Sequence, residues 1–154
     1  MSRSGYSDDC EYLELWRSNV RKTINGKRGQ AFLKDLIEAL DAMPEKRLIK
    51  HSLQENGEVC AIGALGLKRG VDMANLDPED PEQVGHAFGI SSMLASEIVY
   101  ENDEKNYRQT PEERWLRMRK WADENIKKDS ASGPLGAPRT DSPAANFGAD
   151  APTV

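Results

Sequence analysis

Cys10 and Cys60, with His51 and His86, are the side chains of this sequence best suited to thiolate attack or to binding a soft metal. A cysteine nucleophile needs an adjacent base and an oxyanion site. A structural zinc needs four such ligands at short, paired spacings. Here the two cysteines are separated by the whole run from 10 to 60, and the histidines by that from 51 to 86. No zinc-ligand pattern has those intervals. Cys60 stands between Val59 and Ala61-Ile62 and reads as a small buried hydrophobe. His86, between Gly85 and Ala87, reads as a packing or surface histidine. The expectation is no metal, no cofactor and no catalytic residue, with an enzyme using Cys60 as the third-ranked alternative.

Two charged constellations remain. Arg17, Arg21, Lys27 and Arg28 gather near the start of the chain, with Lys22 among them. Lys27 and Arg28 precede a helix whose free N–H groups can hold an anion, so these four are the candidate anion-binding residues. A solvated face with i,i+4 partners such as Glu14 is the plainer use of the same residues. The second constellation is Tyr100, Glu101, Asn102, Asp103 and Glu104, with Glu97 one turn earlier. It lacks the alternating carboxylates and central glycine of a calcium loop. It reads as a surface loop displaying carboxylates beside Tyr100 and Tyr107, and an aromatic residue beside charge suits a protein contact. Those six residues are the candidate partner-binding set.

The charge distribution supports the second reading. The net charge is −5, but residues 51–110 hold four basic against eleven acidic side chains, while the flanking helical regions are mildly basic. An acidic middle is suited to a partner with a basic surface.

The same middle contains a helix-turn-helix spacing over residues 81–100. Gly85 supplies the small residue where two helices cross, and Gly89 sits at the turn. Val84, Phe88, Ile90, Ala95 and Val99 fall where such a corner buries its contacts. The would-be recognition helix, residues 92–104, carries Glu97, Glu101, Asp103 and Glu104, with Lys105 following. DNA affinity rests on Lys and Arg meeting phosphate, so these carboxylates argue against direct nucleic-acid binding. A DNA-binding regulator using Ser92, Met93, Ser96, Glu97 and Tyr100 as its exposed face is the second-ranked alternative.

The elements that must position these residues are helical. A first helix opens at Ser7 or Asp8, where Asp8 and Glu11 can form a capping box, and buries Leu13, Trp16, Val20 and Ile24 with Tyr12 beside them. A second runs from about Gly29 to Met43 with Phe32, Leu33, Leu36, Ile37, Leu40 and Met43 on one face, and Pro44 stops it. Residues 47–62 offer a small hairpin around Asn56-Gly57. Against it stands a small-residue helix from Val59 to Leu67, capped by Gly70, which we favour. Asp80 with Pro81 and a Gln83 capping box opens the helix before the corner. The helix after the corner runs from Ser92 to about Asn102. Thr110-Pro-Glu-Glu opens a last helix with Trp115, Met118, Ala122 and Ile126 on its stripe.

These elements predict an all-α or mainly α bundle of five to six helices over residues 1–128. From Asp129 the chain is Ser, Gly, Pro, Ala and Asp, which cannot bury enough surface to offset ordering entropy, and 129–154 is expected to be a disordered tail. Met1-Ser-Arg-Ser-Gly-Tyr lacks the apolar core of a signal peptide, and no apolar run approaches the ~20 residues of a membrane span. A cytoplasmic protein with free thiols, unbound to membrane, is expected.

Several runs also carry a resemblance. They are Met1-Ser-Arg-Ser-Gly-Tyr-Ser-Asp-Asp-Cys, Gly26-Lys-Arg-Gly-Gln-Ala-Phe, Asp41-Ala-Met-Pro-Glu-Lys-Arg-Leu-Ile and Cys60-Ala-Ile-Gly-Ala-Leu. Asn102-Asp103 followed by Thr110-Pro-Glu-Glu-Arg-Trp completes the set. Together residues 1–126 resemble small bacteriophage and prophage proteins of proteobacteria, a group that brings no activity with it. The resemblance implies a phage-borne accessory protein acting inside a bacterium. The leading expectation is therefore a non-enzymatic protein that binds a bacterial or phage protein through its acidic middle, for instance as an inhibitor of a host-defence complex. The sequence leaves its oligomeric state open.

Overall fold

A computed structural model describes Ser4, residues 13–106 and residues 108–127. The expected helix opening at Ser7 or Asp8, Cys10, Tyr12, the Leu13 side chain, Tyr107 and the segment from 129 onward lie outside the described residues. The described chain is mainly α, with six α-helices and one two-stranded hairpin. No helix in it is long and apolar enough to cross a membrane.

Helix α1, Leu13–Asn25, and helix α2, Lys27–Ala42, are joined through Gly26 and pack on each other. Val20 and Ile24 of α1 are buried, as are Phe32, Leu33, Leu36 and Leu40 of α2, while Trp16 and Ile37 pack at the edge. The Gln30 amide ties α2 to three backbone groups in two segments: its Nε2 donates to the carbonyls of Ile24 and Asn125, and its Oε1 accepts from the Lys127 N–H. Helix α2 ends where Met43 turns extended, the conformation that a following proline demands.

The next segment holds both structures that the sequence offers as alternatives. Strands β1, Gln54–Glu55, and β2, Glu58–Val59, pair antiparallel around Asn56 and Gly57, whose φ angles of 51° and 82° define a type I′ turn. Cys60 then caps helix α3, Ala61–Arg69, so Val59 belongs to the hairpin and the helix starts two residues later than expected. Gly70 closes α3 as anticipated. Lys68 and Arg69, in its last turn, reach across to α2: both pair with Asp35, and Lys68 also with Glu38.

Helix α4, Pro81–Phe88, is capped by Asp80, whose carboxylate accepts from the N–H groups of Glu82 and Gln83. Gln83 does not complete a capping box with Asp80. Its Oε1 accepts from the Asp77 N–H instead, and so fastens the preceding loop to the helix. Helix α5, Ser92–Val99, follows the Gly89 turn; a Cβ on Gly85 would stand 2.8 Å from the Ile90 carbonyl, which is why the corner needs glycine there. Val84, Phe88, Ile90, Ala95 and Val99 are all buried as the spacing predicts. Helix α5 does not end at Asn102. It widens into a π-helical turn over Tyr100–Glu104. Helix α6, Pro111–Glu124, has the full Thr110–Glu113 capping box and buries Trp115, Met118 and Ala122, with Ile126 packed at the edge.

Helix α2 packs on α1, α3 and α6, while α5 packs on α1, α3 and α4. The tightest approach is at α3, where a Cβ on Gly63 would meet the Leu53 carbonyl at 2.0 Å and Val59 Cβ at 3.0 Å. That obstacle is backbone and cannot rotate away. Gly63→Ala should therefore cost roughly 3 kcal/mol in urea unfolding, whereas Gly26→Ala, with only ordinary contacts at 3.6 Å, should stay within about 1 kcal/mol. Equal losses would contradict the packing.

Candidate functional site

The acidic segment was expected on the surface, and the structure places its centre inside. Glu101, Asn102 and Asp103 are only 3%, 1% and 2% exposed. Glu97, Tyr100 and Glu104 are half-buried. The reason is geometric: Leu94 and Ile98 define the buried side of α5, and one further turn along that side brings Asn102 inward.

Once buried, these groups need partners. Asn102 Oδ1 accepts from the Ala61 N–H at 3.1 Å, and its Nδ2 donates to the Ile49 carbonyl at 2.9 Å and to Asp103 Oδ1 at 2.7 Å. Asp103 Oδ2 accepts from the His51 N–H at 3.0 Å. Buried Arg114, from α6, donates to the carbonyls of Leu48 and Gln109. Leu48 in turn donates its N–H to Pro111. Residues 48–51 and the first residue of α3, Ala61, are therefore held by side chains from the π turn and α6. Glu104 continues the pattern, accepting from both the N–H and the hydroxyl of Ser4.

Glu101 is the energetic exception. Burial pushes its carboxyl above the usual range, and the neighbouring Glu97 charge adds to this, while Lys105 at 3.2 Å and Arg117 pull the other way. Burial likewise lowers the pKa values of Arg114 and Arg117.

Of the candidate anion-binding residues, the structure brings two together. Arg17 and Arg21 line a polar cleft of about 250 Å³ with Glu97, Tyr100, Lys105 and Trp121. The Arg17 guanidinium lies 5.8 Å from the centre of the Tyr100 ring. Lys27 and Arg28 do not join them; both stand exposed in the first turn of α2. The cleft mixes two carboxylates with its cations, so it is not a purely basic anion pocket.

The expected recognition helix has no exposed face. Every residue from Ser92 to Tyr100 is buried or half-buried, Ser96 among the buried ones, because α5 is packed by α4, α1 and α3. Cys60 is 1% exposed, and its Sγ accepts from the Gly63 N–H at the start of α3, a structural use of the thiol. Among the described residues no three His, Cys, Asp or Glu side chains converge as a metal-binding group.

Sequence reasoning missed a larger, apolar groove of about 610 Å³ between the end of α2, the hairpin turn and α3. Ala39, Ala42, Val59, Ala64 and Leu67 line it, with Glu45, Arg47, Glu58 and Lys68 also contributing. Its signal was the run of small residues in α3, but the opposing wall comes from another helix and a turn. No protein-family model, curated protein or solved structure matches this chain.

Asn102→Ala leaves the Ala61 N–H and Ile49 carbonyl buried without partners and should cost roughly 3 kcal/mol, read from chemical unfolding. A loss below about 0.5 kcal/mol would contradict the role given to Asn102. For Glu101 the sign is opposite to that of a typical ion-paired carboxylate. Its raised pKa contributes stability that is full below its ordinary value of 4.5 and is lost as pH rises through the folded-state value. Glu101→Gln should thus be no less stable than wild type at neutral pH and should remove that part of the pH dependence. An equal loss at every pH would contradict it.

Proposed function

We propose that this protein is a non-enzymatic interaction protein that binds a basic surface on a bacterial or phage protein, through an acidic stretch different from the one the sequence favoured. Between Arg69 and Lys105 the chain contains no Lys or Arg and nine carboxylates. Four of the nine, Glu97, Glu101, Asp103 and Glu104, lie on the packed α5 and π turn. The other five, Asp72, Asp77, Glu79, Asp80 and Glu82, occupy the loop before α4 and its first turn, and all but Asp80 are exposed. That exposure, with no neighbouring cation in sequence, is the observation that carries the reading.

Physical chemistry supports the loop as a contact. The aspartates shape it: Asp72 accepts from the Ala74 N–H and the Asn75 amide, Asp77 from the Glu79 N–H, and Asp80 caps α4. Fixed carboxylates of one sign raise association rates with a basic partner and set orientation. The resemblance to phage proteins supplies a setting, the inside of a bacterium. There, the nucleic-acid channel of a host-defence complex is a surface of matching chemistry, since carboxylates can stand in for phosphates.

Glu79→Lys/Glu82→Lys reverses two exposed charges whose side chains are not among those that shape the loop, so the fold should persist by circular dichroism. Affinity capture from bacterial lysate should yield a partner with wild type that the double variant loses by about tenfold or more, and that raised ionic strength also releases. The same partner retained equally by both proteins would overturn the acidic-surface reading.

A further inference from the structure

Residues 15–34 mirror the acidic stretch with the opposite sign. They contain six Lys or Arg (Arg17, Arg21, Lys22, Lys27, Arg28 and Lys34) and no Asp or Glu. Helices α1 and α2 meet there through the single residue Gly26, whose N–H donates to the Lys22 carbonyl. The corner is tight: a Cβ on Gly29 would stand 2.2 Å from the Thr23 carbonyl oxygen. Lys22 in the last turn of α1 is thereby set beside Lys27 and Arg28 in the first turn of α2, outside the cleft that Arg17 and Arg21 line. Gln30 holds the Lys127 N–H against the start of α2, which adds a seventh cation. All of these except Arg17, which is half-buried, are exposed.

Most cations elsewhere are engaged: Arg47, Lys68, Arg69, Lys105, Arg119 and Lys120 have carboxylate partners. Among the described residues, no carboxylate pairs with any of the seven cations at the corner. Glu14, the partner that a plain solvated face would use, is exposed and joins none of them. Asp35 and Glu38, next along α2, are taken by Lys68 and Arg69. Lys27 and Arg28 also stand at a helix N-terminus, where the dipole favours anions and disfavours cations, and Gly26 brings no side-chain cap. The fold gains nothing from two cations there, whereas an anion laid across the turn relieves both.

Composition selects the anion. Besides the cations, the exposed residues from 21 to 34 are Asn25, Gly26 and Ala31. A protein interface is anchored by apolar or aromatic side chains at its centre, and a single-strand binder by aromatic rings on which bases stack. The corner exposes neither. The phosphates of a duplex need only cations and free N–H groups, because their affinity comes from counterion release. The guanidinium groups add paired donors that match phosphate oxygens.

We propose that the α1–α2 corner binds the phosphate backbone of duplex DNA, without base-sequence selection, chiefly through Arg21, Lys22, Lys27 and Arg28. The inference does not rest on the acidic-surface reading: the carboxylates of that reading lie before and at the start of α4, which packs on α5. It also differs from a recognition helix, since it requires no element inside a groove.

Fluorescence anisotropy of a short labelled duplex of mixed sequence, titrated with the full chain, tests it. Four phosphate contacts give a slope of about −3.6 in log K against log salt concentration, a loss of roughly 100-fold from about 50 to about 200 mM salt. A Lys22→Gln/Lys27→Gln/Arg28→Gln variant should leave a slope of about −0.9. Its circular dichroism spectrum should be unchanged and its melting temperature no lower, because the two charges removed from α2 oppose the helix dipole. Glu79→Lys/Glu82→Lys should bind the duplex no more weakly than wild type, which keeps this proposal separable from the acidic-surface reading. No anisotropy change at about 100 µM protein in about 50 mM salt would overturn the proposal. So would a triple variant with the wild-type slope, or tighter binding of a single strand of the same length. Wild type that captures an acidic protein but not the duplex, with capture lost in the triple variant, would give the corner to a protein and overturn it equally.

Discussion

The carboxamide of Asn102 joins parts of the chain that are far apart in sequence. One side chain satisfies the Ala61 N–H at the start of α3 and the Ile49 carbonyl in the segment before the hairpin. A buried backbone group left without a partner costs about as much as the hydrogen bond it lacks, so these two groups need Asn102 as much as it needs them. Asp103 on the His51 N–H and Arg114 on the Leu48 carbonyl extend the same constraint. Residues 48–53 form no helix or strand with one another, and their backbone is satisfied largely from outside. Fixing them fixes the hairpin through the Ile49 N–H to Val59 carbonyl bond and the Cys60 N–H to Leu53 carbonyl bond. The hairpin turn then forms one wall of the α2–α3 groove.

That dependence assigns different tasks to charges that look alike in sequence. Glu101 and Asp103 are spent internally, in a site where α5 widens into a π turn and α6 supplies arginines. The carboxylates of the loop before α4 keep their charge at the surface while their oxygens order the loop. The acidic middle is thus two features, a buried hub and an exposed stretch, and only the second can meet a partner without unfolding part of the first. The apolar groove is a third environment, where Arg47 and Lys68 at the rim are held in ion pairs with Glu58, Asp35 and Glu38.

Much of the fold was legible. The stripes of α1, α2 and α6, the Asp80 and Thr110 caps, and the Gly85 corner follow from spacing and turn chemistry, because each is decided within a few residues. The hairpin and α3 competed as readings because Cys60 was taken as the interior of one helix; it is instead the boundary that lets both exist. The site was much less legible. Asn102 follows Leu94 and Ile98 at four-residue intervals, which is a burial signal, but the charges on either side of it read as solvent exposure. Only the partners in residues 48–61, more than forty positions away, make that burial affordable. Arg17 and Arg21 meet Lys105 for a similar reason: α1 and the π turn are distant in sequence and adjacent in space. The groove had only a partial signal, the small residues of α3, since α2 and the hairpin turn supply the rest of it.

The central claim is that residues 101–103 form a buried hub holding the backbone at residues 49–51 and at Ala61, not a recognition surface. Native-state hydrogen exchange at the amides of His51 and Ala61 tests this most directly, because their acceptors are Asp103 and Asn102. The account predicts that both amides exchange slowly, with protection comparable to the interior of α2, even though the His51 side chain itself is exposed. Exchange of both at the rate of an open loop, while α2 stays protected, would contradict it.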